Sequence, residues 1–167
     1  MILDLLELLT QRSQRIPFSF EQAVSREDGL SCGDLKAPLR VWGAAEERAG
    51  ILWLHLQGQG VYCDVCARCT KPVEHPVSFD LRLRLVEEAA SEGEEDEAVY
   101  TGTRLDLSEQ ARQALLLSLP FKLLCREDCA GLCPQCGADL NSGACGCGGK
   151  QMDPRWAALS ALLTEDA

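Results

Sequence analysis

Histidine, aromatic side chains and positive charge are all scarce in this sequence. Two histidines in 167 residues leave little imidazole for the common catalytic zinc sites, which join histidine or carboxylate ligands to an open coordination position. Sixteen Lys and Arg stand against 26 Asp and Glu, a formal net charge of −10. Nucleic-acid binders usually carry the opposite sign, so unaided high-affinity binding to an RNA backbone is disfavoured. Aromatics make up 5% of the chain, so any core is built mainly from Leu, Val and Ala. No apolar run approaches the ~20 residues that a membrane span needs. Asp4 and Glu7 interrupt the N-terminal MILDLLELLTQRSQR, and no basic stretch precedes it, so it does not read as a signal peptide. No P-loop, dinucleotide fingerprint or serine nucleophile elbow is present. The GxG at residues 58–60 is too short to count. These absences lead us to expect a cytoplasmic protein with no membrane segment, no small-molecule substrate and no catalytic residues.

What is abundant is acid in one place and cysteine in several. Seven of the eleven residues in EEAASEGEEDE, residues 87–97, are acidic. The plain reading is a solvated loop. A basic protein partner fits the overall charge better than RNA does.

The run from Leu39 to Val86 holds LRVWG, ILWLHLQG, VYCDV and VSFDLRLRLV. These are short segments rich in Val, Leu and aromatics, as strands are. Gly43 and Gly50 bracket one expected connection, and Gly58 and Gly60 the next. Leu81, Leu83 and Leu85 alternate with Arg82 and Arg84, which predicts a strand with one buried and one basic face. The simplest arrangement is an antiparallel meander. After the acidic loop, DLSEQARQALLLSLP places Asp106 three residues before Glu109, like a capping box with Asp for Ser. Leu107, Ala111, Ala114 and Leu115 form a helical stripe, and Pro120 ends it. Residues 125–149 are rich in Cys and Gly and show no periodicity, so they need an external staple. DPRWAALSALL predicts a last helix, with Asp153 as N-cap, Pro154 at its first position, and Trp156, Leu159, Leu162 and Leu163 on its apolar face. The expected fold is therefore α+β, with a β-rich platform over residues 1–104 and a helix, cysteine ribbon and terminal helix over 105–167.

Ten cysteines fall at 32, 63, 66, 69, 125, 129, 133, 136, 145 and 147. Eight form close pairs: Cys66 and Cys69 as C-x2-C, Cys125 and Cys129 as C-x3-C, Cys133 and Cys136 as C-x2-C, and Cys145 and Cys147 as C-x-C. In a reducing compartment such clusters are metal ligands more often than disulfides. Tetrahedral zinc takes four thiolates, commonly two from each of two tight turns. Four pairs therefore suggest two zinc ions, and three pairings are open. The preferred one joins Cys66 and Cys69 to Cys125 and Cys129, and Cys133 and Cys136 to Cys145 and Cys147. The second group then closes a loop of only about 15 residues, at low entropic cost. The rival places Cys125, Cys129, Cys133 and Cys136 on one metal. Gly137 follows its C-x2-C pair and permits the positive φ that aims backbone N–H groups at the sulfurs. Thr70, in the matching place, does not, so the first turn reads as the less ideal. Cys32 has no partner at ligand spacing, and Cys63 reads as a strand cysteine, with substitution for Cys66 as the alternative. His55 reads as a strand residue, and His75, in KPVEHP, as a loop residue ahead of the alternative that it is a ligand. Thiol–disulfide catalysis and an iron–sulfur cluster are the competing uses of such thiols.

The order of motifs carries a resemblance. CARCTKPVEHPVSFDLRL, an acidic loop, DLSEQARQALLLSLP, CREDCAGLCPQCGADLN, a C-x-C and DPRWAAL follow one another over residues 61–163. This order resembles the YceD-like family of large ribosomal RNA subunit accumulation proteins. The first 60 residues resemble it only loosely, as a β-rich lead-in. The resemblance implies one YceD-like unit and a bacterial or plastid-type factor that supports large-subunit ribosomal RNA accumulation. It implies a ribosomal protein or a pre-large-subunit particle as partner, and no catalysis. A direct RNA contact through Arg82, Arg84, Lys122 and Arg126 stays open against ordinary solvated charges. The alternatives are a zinc-ribbon transcription adaptor and a thiol redox or zinc-buffering protein.

Overall fold

The structure, a computed structural model, describes residues 1–147 except 26–29, 31, 32, 92 and 95. The predicted helix near residues 153–163 and Cys32 lie outside the described residues. The chain forms two compact units, Met1–Glu127 and Asp128–Ala167.

The first unit is built on a six-stranded sheet. Its strands are β2 (Arg15–Gln22), β3 (Asp34–Leu35), β4 (Leu39–Arg48), β5 (Ile51–Val65), β6 (Pro72–Glu87) and β7 (Glu97–Tyr100). They run in the order β2-β4-β5-β6-β7, and β3 adds to β5 beside β4. A two-stranded sheet pairs β1 (Ile2–Asp4) with β8 (Arg104–Asp106). Helix α1 (Leu6–Leu9) follows β1, and α2 (Leu107–Ser118) follows β8. The α+β class stands, with far more strand than helix among the described residues.

The meander is present from β2 through β4 and β5 to β6, all antiparallel. Two details differ from the sequence expectation. First, β7 joins β6 in parallel, with Arg84 opposite Glu97 and Leu85 opposite Ala98. The acidic stretch makes this possible by carrying the chain back along β6. Glu97 is its last residue, and its side chain is 1% exposed and ion-paired to Arg84 at 2.6 Å. The Arg84 backbone N–H also donates to the Asp96 carbonyl at 2.8 Å. The stretch is thus a short 3-10 turn, Glu88–Ala90, and a folded return, with its two ends inside strands.

Second, Gly43, Gly58 and Gly60 sit within strands. A β-carbon on Gly58 would lie 2.3 Å from the Phe79 ring, and one on Gly43 would lie 1.9 Å from the His55 carbonyl and 2.9 Å from the Phe18 ring. Phe79 and Phe18 are their direct cross-strand partners. These glycines make room for close ring packing instead of turning the chain. The real β4–β5 turn is Ala49–Gly50, with φ 54° and 81°. Positive φ at both central residues is what a two-residue hairpin demands.

The core joins both sheets and both helices. Leu5, Leu39, Leu54, Leu56, Leu105, Leu107 and Leu115 are all fully enclosed. Helix α2 buries its stripe as expected: Leu107, Ala111, Ala114 and Leu115. Each leucine so enclosed contributes about 1.5–3 kcal/mol. Asp106 caps α2 by accepting the Ser108 N–H at 2.9 Å. Glu109, however, binds Arg112 and Gln113 along the helix, so the Glu half of the expected box is directed forward. The N-terminal segment contributes Leu3, Leu5 and Leu8 to the same core.

The described part of the second unit is different in kind. Only Cys129, Gly131 and Cys133 are buried between residues 128 and 147. No apolar side chain other than cysteine is buried there. Its short regular pieces are a Leu132–Asp139 bridge and a 3-10 turn at Leu140–Ser142.

Candidate metal centres

The β5–β6 connection is a cysteine-bearing turn. The Cys66 N–H donates to the Lys71 carbonyl at 2.8 Å, and the Thr70 N–H donates to the Cys66 carbonyl at 2.9 Å. The Arg68 N–H points at the Cys66 sulfur, 3.5 Å away. Thr70 sits at φ 58°. The threonine does adopt the left-handed geometry that the sequence seemed to deny it, because the turn's bonding demands it.

The turn is held from the segment after α2. The Ala67 N–H donates to the Leu123 carbonyl at 2.8 Å, and the Arg68 guanidinium donates to the Glu127 carbonyl at 3.3 Å. This brings Cys125 to Cys69, with the two sulfurs 3.5 Å apart. The fourth thiol of the group is Cys129. Its sulfur accepts from the Asn141 side-chain amide at 3.5 Å. Asn141 is itself oriented by the Asp139 carboxylate, to which its backbone N–H and side-chain amide both donate. Sequence reasoning passed over Asn141. The short spacing from Asp139 was the available signal, since Asp so often caps a neighbouring turn.

The second cysteine turn repeats the first. The Cys133 N–H donates to the Ala138 carbonyl at 2.8 Å, and the Gly137 N–H donates to the Cys133 carbonyl at 2.9 Å. Gly137 has φ 74°.

Two sets of four sulfurs result: Cys66, Cys69, Cys125 and Cys129, and Cys133, Cys136, Cys145 and Cys147. Within each set the sulfurs lie within 4.8 Å of one another. A tetrahedron of Zn–S bonds of ~2.3 Å needs sulfur separations of about 3.8 Å, so the donor sets fit that geometry. Each could hold a metal ion. The sulfurs group in the preferred pairing, not in the rival that unites residues 125, 129, 133 and 136. Cys63, His55 and His75 belong to neither set. Cys63 lies in β5 opposite Glu74, and His55 bonds Asp80 at 2.9 Å.

The thiol electrostatics suit metal binding. Burial pushes the Cys66 thiol up, but hydrogen bonds from the backbone of Cys125, Arg68 and Cys69 outweigh it and bring it down to about 6. Backbone N–H groups of Cys136 and Gln135, with the Cys145 thiol, lower Cys133 to about 6. Cys147 is pushed up to about 12, chiefly by the neighbouring thiols of Cys136 and Cys145. Four sulfurs this close cannot all ionise without a cation among them.

The basic residues considered for RNA contact are differently placed. Arg82 lies over the Trp53 ring, 4.5 Å from its centroid, and Arg84 is committed to Glu97.

Residues 54–163 match the family described as large ribosomal RNA subunit accumulation protein YceD. The chain belongs to the YceD family. The YceD match begins in β5 and takes in both sulfur sets. Among relatives, proteins of Mycobacterium tuberculosis and Mycobacterium bovis, both described as uncharacterized, are 40% identical over 102 residues, covering 59% of this chain and 49% of theirs. The large ribosomal RNA subunit accumulation protein YCED homolog 1, chloroplastic, of Arabidopsis thaliana is 33% identical over 58 residues, 35% of this chain and 18% of that one. The chain thus spans about half the length of the mycobacterial relatives it matches. No solved structure matches it. Among the described residues, no helix is long and apolar enough to cross a membrane.

Proposed function

We propose that this protein is a non-enzymatic, zinc-holding factor that supports large-subunit ribosomal RNA accumulation through ribosome assembly in the cytoplasm. The observation that carries this reading is the YceD match, which spans both four-cysteine sets. In it, Cys66, Cys69, Cys125 and Cys129 hold one zinc ion, and Cys133, Cys136, Cys145 and Cys147 hold a second. Four thiolates complete the tetrahedral shell and leave no position for substrate or activated water, which is how structural zinc differs from catalytic zinc. The ions act as staples where the sequence offers no apolar core. A chain of formal charge −10 suits a basic ribosomal protein, or a pre-large-subunit particle displaying one, better than naked RNA.

The test is co-sedimentation of the tagged protein with ribosomal fractions. The reading expects it with large-subunit precursors, released by high salt. Its absence from every ribosomal fraction, or its capture with polymerase subunits instead, would overturn the assembly role.

A further inference from the structure

The two sulfur sets are not equivalent. In the first, Cys66, Cys69 and Cys129 are 0%, 3% and 2% exposed, and only Cys125 is open to solvent. In the second, Cys133 alone is buried, Cys145 and Cys147 are half-buried, and Cys136 is exposed. The supports differ as well. The first turn is clamped between the two longest strands, Val65 being paired with Pro72 directly beside it, and bonded to residues 123 and 127. The second turn lies in a segment whose described residues bury no apolar side chain except cysteine. The C-x-C arm follows Gly143, at φ 134°, and contains Gly146. A β-carbon at either would meet nothing within 4 Å.

From this asymmetry we infer that Cys133, Cys136, Cys145 and Cys147 form an exchangeable, peroxide-reactive centre, while Cys66, Cys69, Cys125 and Cys129 form a retained one. The inference rests on the reading that both sets carry zinc. A thiolate reacts with a hydroperoxide only where the oxidant can reach the sulfur. Cys125 meets that condition but stands among three buried thiols; the better placed sulfur is that of Cys136, whose set also holds the half-buried Cys145 and Cys147. The Cys136 thiolate attacks one peroxide oxygen, the O–O bond breaks, and the departing oxygen takes a proton to leave as water. A sulfenic acid remains on Cys136. A second thiolate of the set attacks that sulfur, the S–O bond breaks, and the departing hydroxide takes a proton as a second water. The two sulfurs lose two electrons and become a disulfide, and hydrogen peroxide gains them. Only two thiolates of the set would then remain to hold a zinc ion, too few to retain it. Metal and fold are coupled in a segment without an apolar core, so its loss loosens the stretch that carries the second set, residues 133–147, while Cys129 stays with the first. The first unit keeps its own core, which none of those residues joins.

The experiment uses the full chain loaded with zinc and counted by native mass spectrometry. Hydrogen peroxide is added, released zinc is followed with a chromogenic chelator, and free thiols are alkylated and mapped at intervals. The expected result is two phases at least ten-fold apart in rate. In the fast phase one zinc leaves and a disulfide appears within residues 133–147. In the slow phase the second leaves, with Cys125 the first of its set to be modified. A Cys147→Ser chain is expected to start with one zinc and to show only the slow phase. Release of both ions in a single phase overturns the inference, as does modification of Cys66 or Cys69 first. An untreated protein that binds no zinc fails at the first count, and then the two-zinc reading itself is overturned.

Discussion

Thr70 and Gly137 occupy the same place in two turns of matching backbone bonding, at φ 58° and 74°. Each donates its N–H to the carbonyl of the first cysteine of its pair, at 2.9 Å in both cases. A β-branched residue in the left-handed region costs about 1–3 kcal/mol, and glycine there costs nothing sterically. The first turn bears that strain because β5 and β6 hold both its ends. Thr70→Gly is therefore expected to relieve strain but to add unfolded-state freedom worth up to about 1 kcal/mol. The net shift in denaturant midpoint is small. Gly137→Val should weaken zinc binding at the second set by roughly five- to 150-fold, the equivalent of about 1–3 kcal/mol. Nothing lies within 4 Å of its β-carbon position, so the cost is conformational. Chemical denaturation measures the first and competition with a chelator the second, and equal affinity in Gly137→Val would refute the argument.

Metal content follows the two sets. Protein purified without added metal is expected to carry two zincs per chain. Cys66→Ser and Cys145→Ser should each carry one. Cys66→Ser should also lower the thermal midpoint of the first unit, whose longest strands meet at that turn. Cys145→Ser should leave that midpoint alone. Equal losses of stability from the two variants would contradict the independence of the sets.

Proton release provides a separate check. Cys66 and Cys133 are both lowered to about 6. At pH 8 they are already thiolates, so zinc loading should release fewer than four protons per set. Cys147, raised to about 12, must give up its proton when the second set loads. For Cys66 and Cys133 the folded value is the depressed one. The stability they confer is therefore present above the unfolded thiol range near ~8.5 and is lost as pH falls through about 6. Zinc affinity should weaken steeply over the same range, because protons compete for the thiolates. Calorimetry in buffers of different ionisation enthalpy counts the protons, and four per set at pH 8 would refute the lowered values.

The strand glycines predict a graded pair. Gly58→Ala drives a methyl into the Phe79 ring, whereas Gly43→Ala drives one into the backbone carbonyl of His55. Overpacking of this kind costs about 1–3 kcal/mol, and occasionally more. Phe79→Leu should recover part of the loss in Gly58→Ala. No side-chain change can recover Gly43→Ala, because the obstacle is main chain. Additive losses in the Gly58–Phe79 double-mutant cycle would mean that the ring does not rest on the glycine.

The Arg84–Glu97 pair offers a contrast with its neighbour. Arg84→Met leaves the enclosed Glu97 carboxylate without this cation, while Arg82→Met removes only a guanidinium stacked on Trp53. A drop of several degrees in thermal midpoint is expected for the first, and about a degree or less for the second. Equal drops would mean that β7 does not depend on the ion pair.

The sequence by itself determined the eight paired cysteines, the stripe that α2 buries and the alternation of β6. Each is written in local spacing: two thiols in one tight turn, four apolar residues on one helical face, and a period of two along a strand. It also carried the family resemblance. Which sulfurs share a group was left among alternatives, since spacing alone does not bring residue 66 to residue 125. Tertiary structure decided that, through the bond from Ala67 to Leu123 across more than fifty residues. It decided too that Gly43 and Gly58 lie inside strands, because the rings that need their space come from other strands. The parallel β7 was equally hidden. An acidic run reads as a solvated loop until Arg84, more than ten residues earlier, draws its last glutamate into the sheet. Thr70 gives the sharpest case. Its own propensity opposes the conformation it holds, and two long paired strands impose it.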